Sequence, residues 1–207
     1  ALSEKLELEI NRDGKKHLID FINGNAKAPL KVIGKSKETG TEITFLPSKD
    51  IFSSIKFSAN ILIKRIRELA FLNKGIKIIF TDSSQKKSKV HEFKFDGGVL
   101  EFVEFLDEKR EKLKNKNGND LFKKPIHVEG KKNDIEIECS LKWNAGYSED
   151  LLPYTNNIYQ KDGGTHVLGF RSALTRIINK YANEHNLLKK NKLAISGDDI
   201  KEGLTCV

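Results

Sequence analysis

This chain of 207 residues has no methionine, two cysteines and one tryptophan. Each scarcity closes off a reading. A chain this long without methionine is expected to lack its natural start, so the sequence reads as a piece of a longer protein. Cys139 and Cys206 are too few and too isolated for a disulfide framework or a thiolate metal site, which suits a reducing cytosol and a cytoplasmic location. No His/Cys/Asp group has zinc-ligand spacing, and no metal-binding residue is expected within the chain. No apolar run reaches the ~18 residues that a membrane-spanning helix needs. The opening ALSEKLELEI carries acids in an alternating pattern and does not form a signal peptide. A P-loop of the form G-x-x-x-x-G-K-[ST] is absent as well.

What is present sets looser bounds. An apolar share of 38% over this length allows a real core, in one large or two small domains. The net charge of +8 invites a nucleic-acid reading. Only six of the 37 basic residues are arginines, however. An excess of lysine, isoleucine and asparagine also follows from A/T-rich coding, which scatters lysines over solvated faces. Lys86-Lys87, Lys109 to Lys116, Lys131-Lys132 and Lys189 to Lys192 sit in predicted loops or helix ends, where solvation explains them. The charge permits DNA binding without proving it.

Periodicity divides the chain into two halves. Leu6 to Phe21 alternate about Asp13-Gly14, a hairpin signal. Leu30 to Ile33 and Thr41 to Leu46 read as further strands, the latter ended by Pro47. Phe57 to Asn73 is amphipathic and stops at Asn73-Lys74-Gly75. Ile76 to Phe80 and Val90 to Phe95 predict a second hairpin around a polar loop. After Asp96-Gly97-Gly98 comes a helix with Val99, Phe102, Val103 and Leu106, then a lysine- and asparagine-rich linker from Glu111 to Asn119. Ile135, Ile137, Cys139 and Leu141 alternate with polar residues as a half-buried strand. Leu151 to Ile158 reads as one strand, Thr165 as the N-cap of a helix to Ala182, and Gly197-Asp198-Asp199 as a turn and cap before a short last element. The fold class is α+β, with helices laid on sheets.

One stretch carries more than the rest. Tyr154 to Arg176 reads YTNNIYQKDGGTHVLGFRSALTR, a polar run and a glycine turn opening straight into a helix. Taken alone, Gly-Gly-Thr before a helix is an ordinary loop and cap. The whole string resembles the DNA gyrase B family, where an Asn-Asn pair, Gly-Gly-Thr-His and Gly-Phe-Arg occur in this order. Ala1 to Ile10, Thr39-Gly40-Thr41 with Ile43 and Phe45, Arg65 to Asn73, Phe95 to Gly98 and Gly197 to Leu204 are similar to further landmarks of that family, in the same order. The resemblance implies that residues 1 to 96 form the C-terminal part of a GHKL-type ATPase domain, as a sheet with a helix layer. Residues 97 to 207 then form most of a transducer domain, incomplete at its C-terminus, with a fold shared with a small-subunit ribosomal protein.

The same resemblance assigns roles. Thr41 matches a threonine whose hydroxyl helps to read adenine, a job suited to a group that donates and accepts at once. Ile43 lies two residues on and would wall the base. Arg12 matches an arginine at the pocket mouth, where aminocoumarins also bind, although before Asp13-Gly14 it also reads as a solvated hairpin arginine. ATP and Mg2+ are the implied cofactors, held mainly by residues outside this chain: the catalytic glutamate, the magnesium-binding asparagine and the glycine-rich lid precede Ala1, and the transducer lysine follows Val207. No catalytic residue is therefore expected within the chain, and alone it is expected to be inactive. Lys161 is the DNA-contact candidate, reaching a phosphate from the loop before Asp162. Arg171 and Arg176, five residues apart, point in different directions. His166 reads as a helix-start histidine and Trp143 as packing. The implied partners are double-stranded DNA, the gyrase A protein and a second copy of the chain. Topoisomerase IV is the nearest alternative within this reading, and a non-enzymatic basic nucleic-acid-binding module is the alternative outside it.

Overall fold

A computed structural model describes residues 2–188 and 195–207, in two compact units, Ala1–Ser58 and Ala59–Val207. The lysine cluster at 189–192 lies outside the described residues. The architecture is α+β, as the periodicity implies.

The first unit is one antiparallel sheet. β1 (Ser3–Arg12) and β2 (Lys15–Ile22) are joined by Asp13-Gly14, with φ of 53° and 75°. Two successive positive φ values define the tight turn whose twist matches a hairpin, and Asp-Gly tolerates it. Asn23-Gly24 repeats the device at 48° and 84° and returns the chain as β3 (Asn25–Ala26). β4 (Lys31–Lys35) also pairs with β2, and β5 (Gly40–Pro47) pairs with the other edge of β1. Residues directly opposite share a face. Leu6, Leu8 and Ile10 therefore stand beside Phe45, Ile43 and Thr41 on one flank and beside Phe21, Ile19 and His17 on the other. Glu7, Glu9, Glu42 and Asp20 take the reverse face. The alternation LELEI writes this division directly.

In the second unit α1 (Ala59–Leu72) begins two residues later than its periodicity suggests and leaves Phe57 exposed. It ends where the Asn73 amide and side chain both donate to the Leu69 carbonyl, followed by Gly75 at φ 79°. β6 (Lys77–Asp82) and β7 (Lys89–Lys94) form the expected hairpin. α2 (Gly98–Asp107) then packs on α1. Phe71, 1% exposed, stacks on Phe95 and Phe102 with ring centroids 3.6 and 4.7 Å away.

A second sheet has the order β10-β13-β9-β8, from β8 (Ile126–Lys132), β9 (Ile135–Trp143), β10 (Asp150–Leu151) and β13 (Leu204–Cys206). Between its last two strands lie β11 (Tyr154–Thr155), β12 (Ile158–Tyr159), α3 (Thr165–Glu184) and α4 (Gly197–Lys201). Leu141, Leu204 and Cys206 form the core of one face, where Phe170 and Leu174 of α3 pack. The opposite face is polar. There Asp107 of α2 accepts from Asn144 at 2.9 Å and from Thr205 at 3.3 Å. Lys142 lies 3.3 Å from the other Asp107 oxygen, at ion-pair distance but without hydrogen-bond alignment. Gly203, at φ 69°, has no room for a side chain: a Cβ would lie 2.4 Å from the Asn144 carbonyl oxygen.

Several expectations fail in this half. Leu151 to Ile158 is not one strand. Leu152-Pro153 separates β10 from β11, and Asn156-Asn157, at φ 48° and 65°, turns β11 into β12. Ile135 and Ile137 are 66% and 64% exposed, because only the Ser140 end of β9 is covered on both faces. Strand β8 has no apolar alternation strong enough to reveal it. Thr165 is the first residue of α3 rather than its cap, which is Gly164, with no side chain to accept a bond. Ser196, not Gly197-Asp198-Asp199, caps α4 and forms a reciprocal capping box with Asp199. The cysteines that sequence distance separated are neighbours, with Sγ atoms 3.6 Å apart across β9 and β13 and both thiols free. Contact with Cys139 and burial push the Cys206 thiol up, while the same contact draws Cys139 down.

Candidate functional site

In the first unit, Thr41 and Ile43 sit two residues apart on β5, opposite Ile10 and Leu8. Arg12 is two residues beyond Ile10 on β1, so all three candidates belong to the same sheet face. The face is open: Ile43 is 57% exposed and Thr41 is exposed. Arg12 stands at its end, highly exposed, with its guanidinium 3.7 Å from the Asp13 carboxylate. A flat base laid here would meet a hydroxyl that donates and accepts beside an aliphatic wall. From Leu6 to Arg12 and Thr41 to Phe45 this face carries no carboxylate among the described residues.

In the second unit, the Asn156-Asn157 turn is tied to the end of α1. The Asn157 side chain donates to Asn73 Oδ1 at 2.9 Å, and the Asn157 backbone carbonyl accepts from Arg65 at 2.8 Å. Arg65 also pairs with Glu68 at 3.1 Å. Tyr154 lies nearby, and burial, helped by the negative charge of Glu68, pushes its phenol up to about 12. The Arg65 to Asn73 and Tyr154 to Tyr159 segments, 80-odd residues apart in sequence, thus meet in one hydrogen-bonded joint. Reading Asn156-Asn157 as a mere polar run missed this. The available signal was that asparagine is enriched at positive φ, so a doubled Asn between aromatic residues marks a tight turn.

The glycine pair that follows is needed for its conformation. Gly163 and Gly164 have φ of 72° and 151°, and a Cβ on Gly164 would come 3.0 Å from the His166 ring. The chain reverses there and α3 starts at once, leaving Lys161, Asp162 and His166 exposed at its entrance. Arg171 is held by the Glu149 carboxylate in two contacts of 3.1 and 2.5 Å, a structural role. Arg176 is exposed and lines a groove of about 430 Å³ with Thr175, Asn179 and Lys201. Trp143 donates to the Ile200 carbonyl at 2.8 Å and contacts Phe122, so it packs as expected. Lys161 belongs to the second compact unit, and Arg12, Thr41 and Ile43 belong to the first.

A family model described as DNA gyrase B matches residues 98–207. The DNA gyrase B protein of Chlamydia pneumoniae is 45% identical over 211 aligned residues, covering 100% of this chain and 25% of that protein. The chain thus spans about a quarter of the length of this curated relative. Among solved structures, the 43K ATPase domain of Thermus thermophilus gyrase B, in complex with an aminocoumarin, superimposes with a TM-score of 0.80 at 36% identity. That match covers 100% of this chain and 54% of the other. The topoisomerase IV ATP-binding domain of Francisella tularensis gives 0.74 at 24% identity, covering 100% and 54%, a likeness of fold.

Proposed function

The chain belongs to the DNA gyrase B family, and from that premise we propose that it is part of the ATP-hydrolysing component of a bacterial gyrase. In this reading the parent protein is an ATP-dependent type IIA topoisomerase that couples ATP binding and hydrolysis to strand passage and negative supercoiling. Residues 1–96 serve as the end of its ATPase domain and residues 97–207 as transducer. Thr41 reads the adenine edge, Ile43 walls the base, and Arg12 guards the mouth of the pocket. ATP is the cofactor with Mg2+, whose ligands lie outside this chain. Double-stranded DNA, the gyrase A protein and a second copy of the chain are the partners, in the cytoplasm, with Lys161 as a phosphate contact.

The observation that carries the nucleotide reading is the common face of Arg12, Thr41 and Ile43, open and free of carboxylates. The aminocoumarin in the Thermus relative adds a probe for its rim. The test uses the full-length protein that contains this chain, assayed for ATP-driven supercoiling with the gyrase A protein and for binding of ATP and an aminocoumarin. Arg12→Ala should weaken the aminocoumarin more than ATP, whereas Thr41→Ala should weaken ATP itself. Unchanged affinity for both ligands in both variants removes this face from the nucleotide site.

A further inference from the structure

Strands β8 and β9 bring together three side chains of metal-ligand type that the gyrase reading does not use. His127 and Glu129 alternate on β8, and the residues opposite them on β9 are Ser140 and Glu138. All four therefore project from one face. His127 Nε2 lies 2.8 Å from a Glu129 oxygen and 3.9 Å from a Glu138 oxygen. One ligand atom from each of the three lies within 4.8 Å of the others. The glutamates are 67% and 43% exposed and can close the small remaining distance by rotation.

Two further observations point to a cation. Glu129 and Glu138 are directly opposite, and like charges at such positions repel and destabilise the strand pair. Their neighbours Lys131 and Glu136 show the ordinary solution, an opposite-charge pair at 2.8 Å. The other nitrogen of His127 is also fixed: Nδ1 lies 2.7 Å from the hydroxyl of Ser140, whose residue is 0% exposed. Without an ion Nε2–H donates to the Glu129 carboxylate; with an ion bound, Nδ1–H donating to Ser140 would leave the Nε2 lone pair for the metal, the orienting contact that metal-bound histidines generally have.

We propose that His127, Glu129 and Glu138 bind a divalent transition ion of the zinc class. One imidazole and two carboxylates suit zinc in tetrahedral coordination at about 2.0–2.2 Å. Magnesium and calcium favour oxygen-only shells. The two glutamates also line a cavity of about 640 Å³ with Leu72, Val99, Tyr154 and Asn157, which would leave room for a fourth ligand position. That position would take water or a small oxygen donor.

The experiment is calorimetric titration of the full chain with zinc chloride, repeated with magnesium chloride, and cobalt(II) titration followed by visible absorption. One equivalent of zinc should bind, and magnesium should give no saturable heat. Glu138→Gln and His127→Ala, both at accessible positions, should each lose that equivalent while keeping the wild-type circular dichroism. Ser140→Ala should weaken zinc roughly 10–100-fold, the usual effect of removing an orienting partner. Zinc uptake unchanged in both ligand variants, or none in the wild type, overturns the site. So does a thiolate-to-cobalt charge-transfer band, which would put the ion on Cys139 and Cys206.

Discussion

The two compact units use the same residue types to different ends. All twelve buried hydrophobic residues among those described lie between Ala70 and Cys206, in the second unit. In the first, Ser48 is the one buried residue of a described set whose sheet leaves Val32, Ile33, Ile43 and Phe45 about half exposed. A sheet of four or more strands with an apolar face is expected to cover that face. Both units leave apolar side chains exposed, Ile43 and Phe45 in the first and Ile135 and Ile137 in the second, but only the second also closes a buried apolar core.

Substitution should separate the two most sharply at their apolar residues. Phe71→Ala removes a ring stacked between Phe95 and Phe102 and should destabilise the second unit by about 3–5 kcal/mol in chemical denaturation. Ile43→Ala, at an exposed position, should cost about 0.5 kcal/mol or less. Equal losses would break the contrast. Thr41→Ala should then show the reverse profile in the full-length protein. Nucleotide binding should fall by about 1–2 kcal/mol, the range for one lost hydrogen bond in a partly buried site, with unfolding unmoved. A shift in the melting transition of the apo protein would make Thr41 structural instead.

A smaller effect belongs to the capping box. Ser196→Ala should cost about 1 kcal/mol, measured by urea unfolding near neutral pH. Its pH dependence has a definite sign. Hydrogen bonds from the Ser196 side chain and backbone hold the Asp199 carboxyl below its ordinary value of 3.8, so the folded chain binds that proton more weakly than the unfolded one. The stabilisation is complete above the ordinary value and fades as pH falls through it and below. The Ser196→Ala protein should lose stability less steeply in acid. Parallel acid limbs would show that Asp199 is held by something else. The slightest effect is at Lys161. Removing one phosphate contact should lower the slope of log affinity against log salt by about one in the nucleotide-closed protein, while Lys87→Ala leaves it unchanged. No difference between them would return Lys161 to the solvated lysines.

Local rules were legible where chain neighbours decide the structure. Asp13-Gly14, the LELEI alternation and the Asn73-Lys74-Gly75 stop each sit where their chemistry demands. The reading weakened where partners are distant. Ile135 and Ile137 alternate as if buried, yet burial on β9 depends on how far α2 and α3 reach along it. Cys139 and Cys206 are 67 residues apart and became neighbours only through the pairing of β9 with β13. The Thr165 cap failed for a local reason, since the turn needed a second glycine and moved the cap back by one residue. The sheet face that holds Arg12, Thr41 and Ile43 followed from period-two alternation, while the nucleotide roles proposed for Arg12 and Thr41 came from resemblance alone. The His127 group was invisible because β8 was unread, and without its register Glu138 has no known neighbour.

The parallel pairing of β10 with β13 has a kinetic consequence. Asp150 and Leu151 meet Thr205 and Cys206 only after β11, β12, α3 and α4 have been threaded between them. In the first unit, β1 with β2 and β2 with β3 pair across short turns, whereas β5 reaches β1 with three strands lying between them in sequence. Loop closure must be achieved before distant contacts stabilise anything, so chains with such pairings fold slowly. Hairpins of residues 3–26 should thus acquire protected amides early in refolding. Leu204 and Cys206, which seal the other core, should be the late arrivals, and until they dock the apolar side of α3 remains open to aggregation.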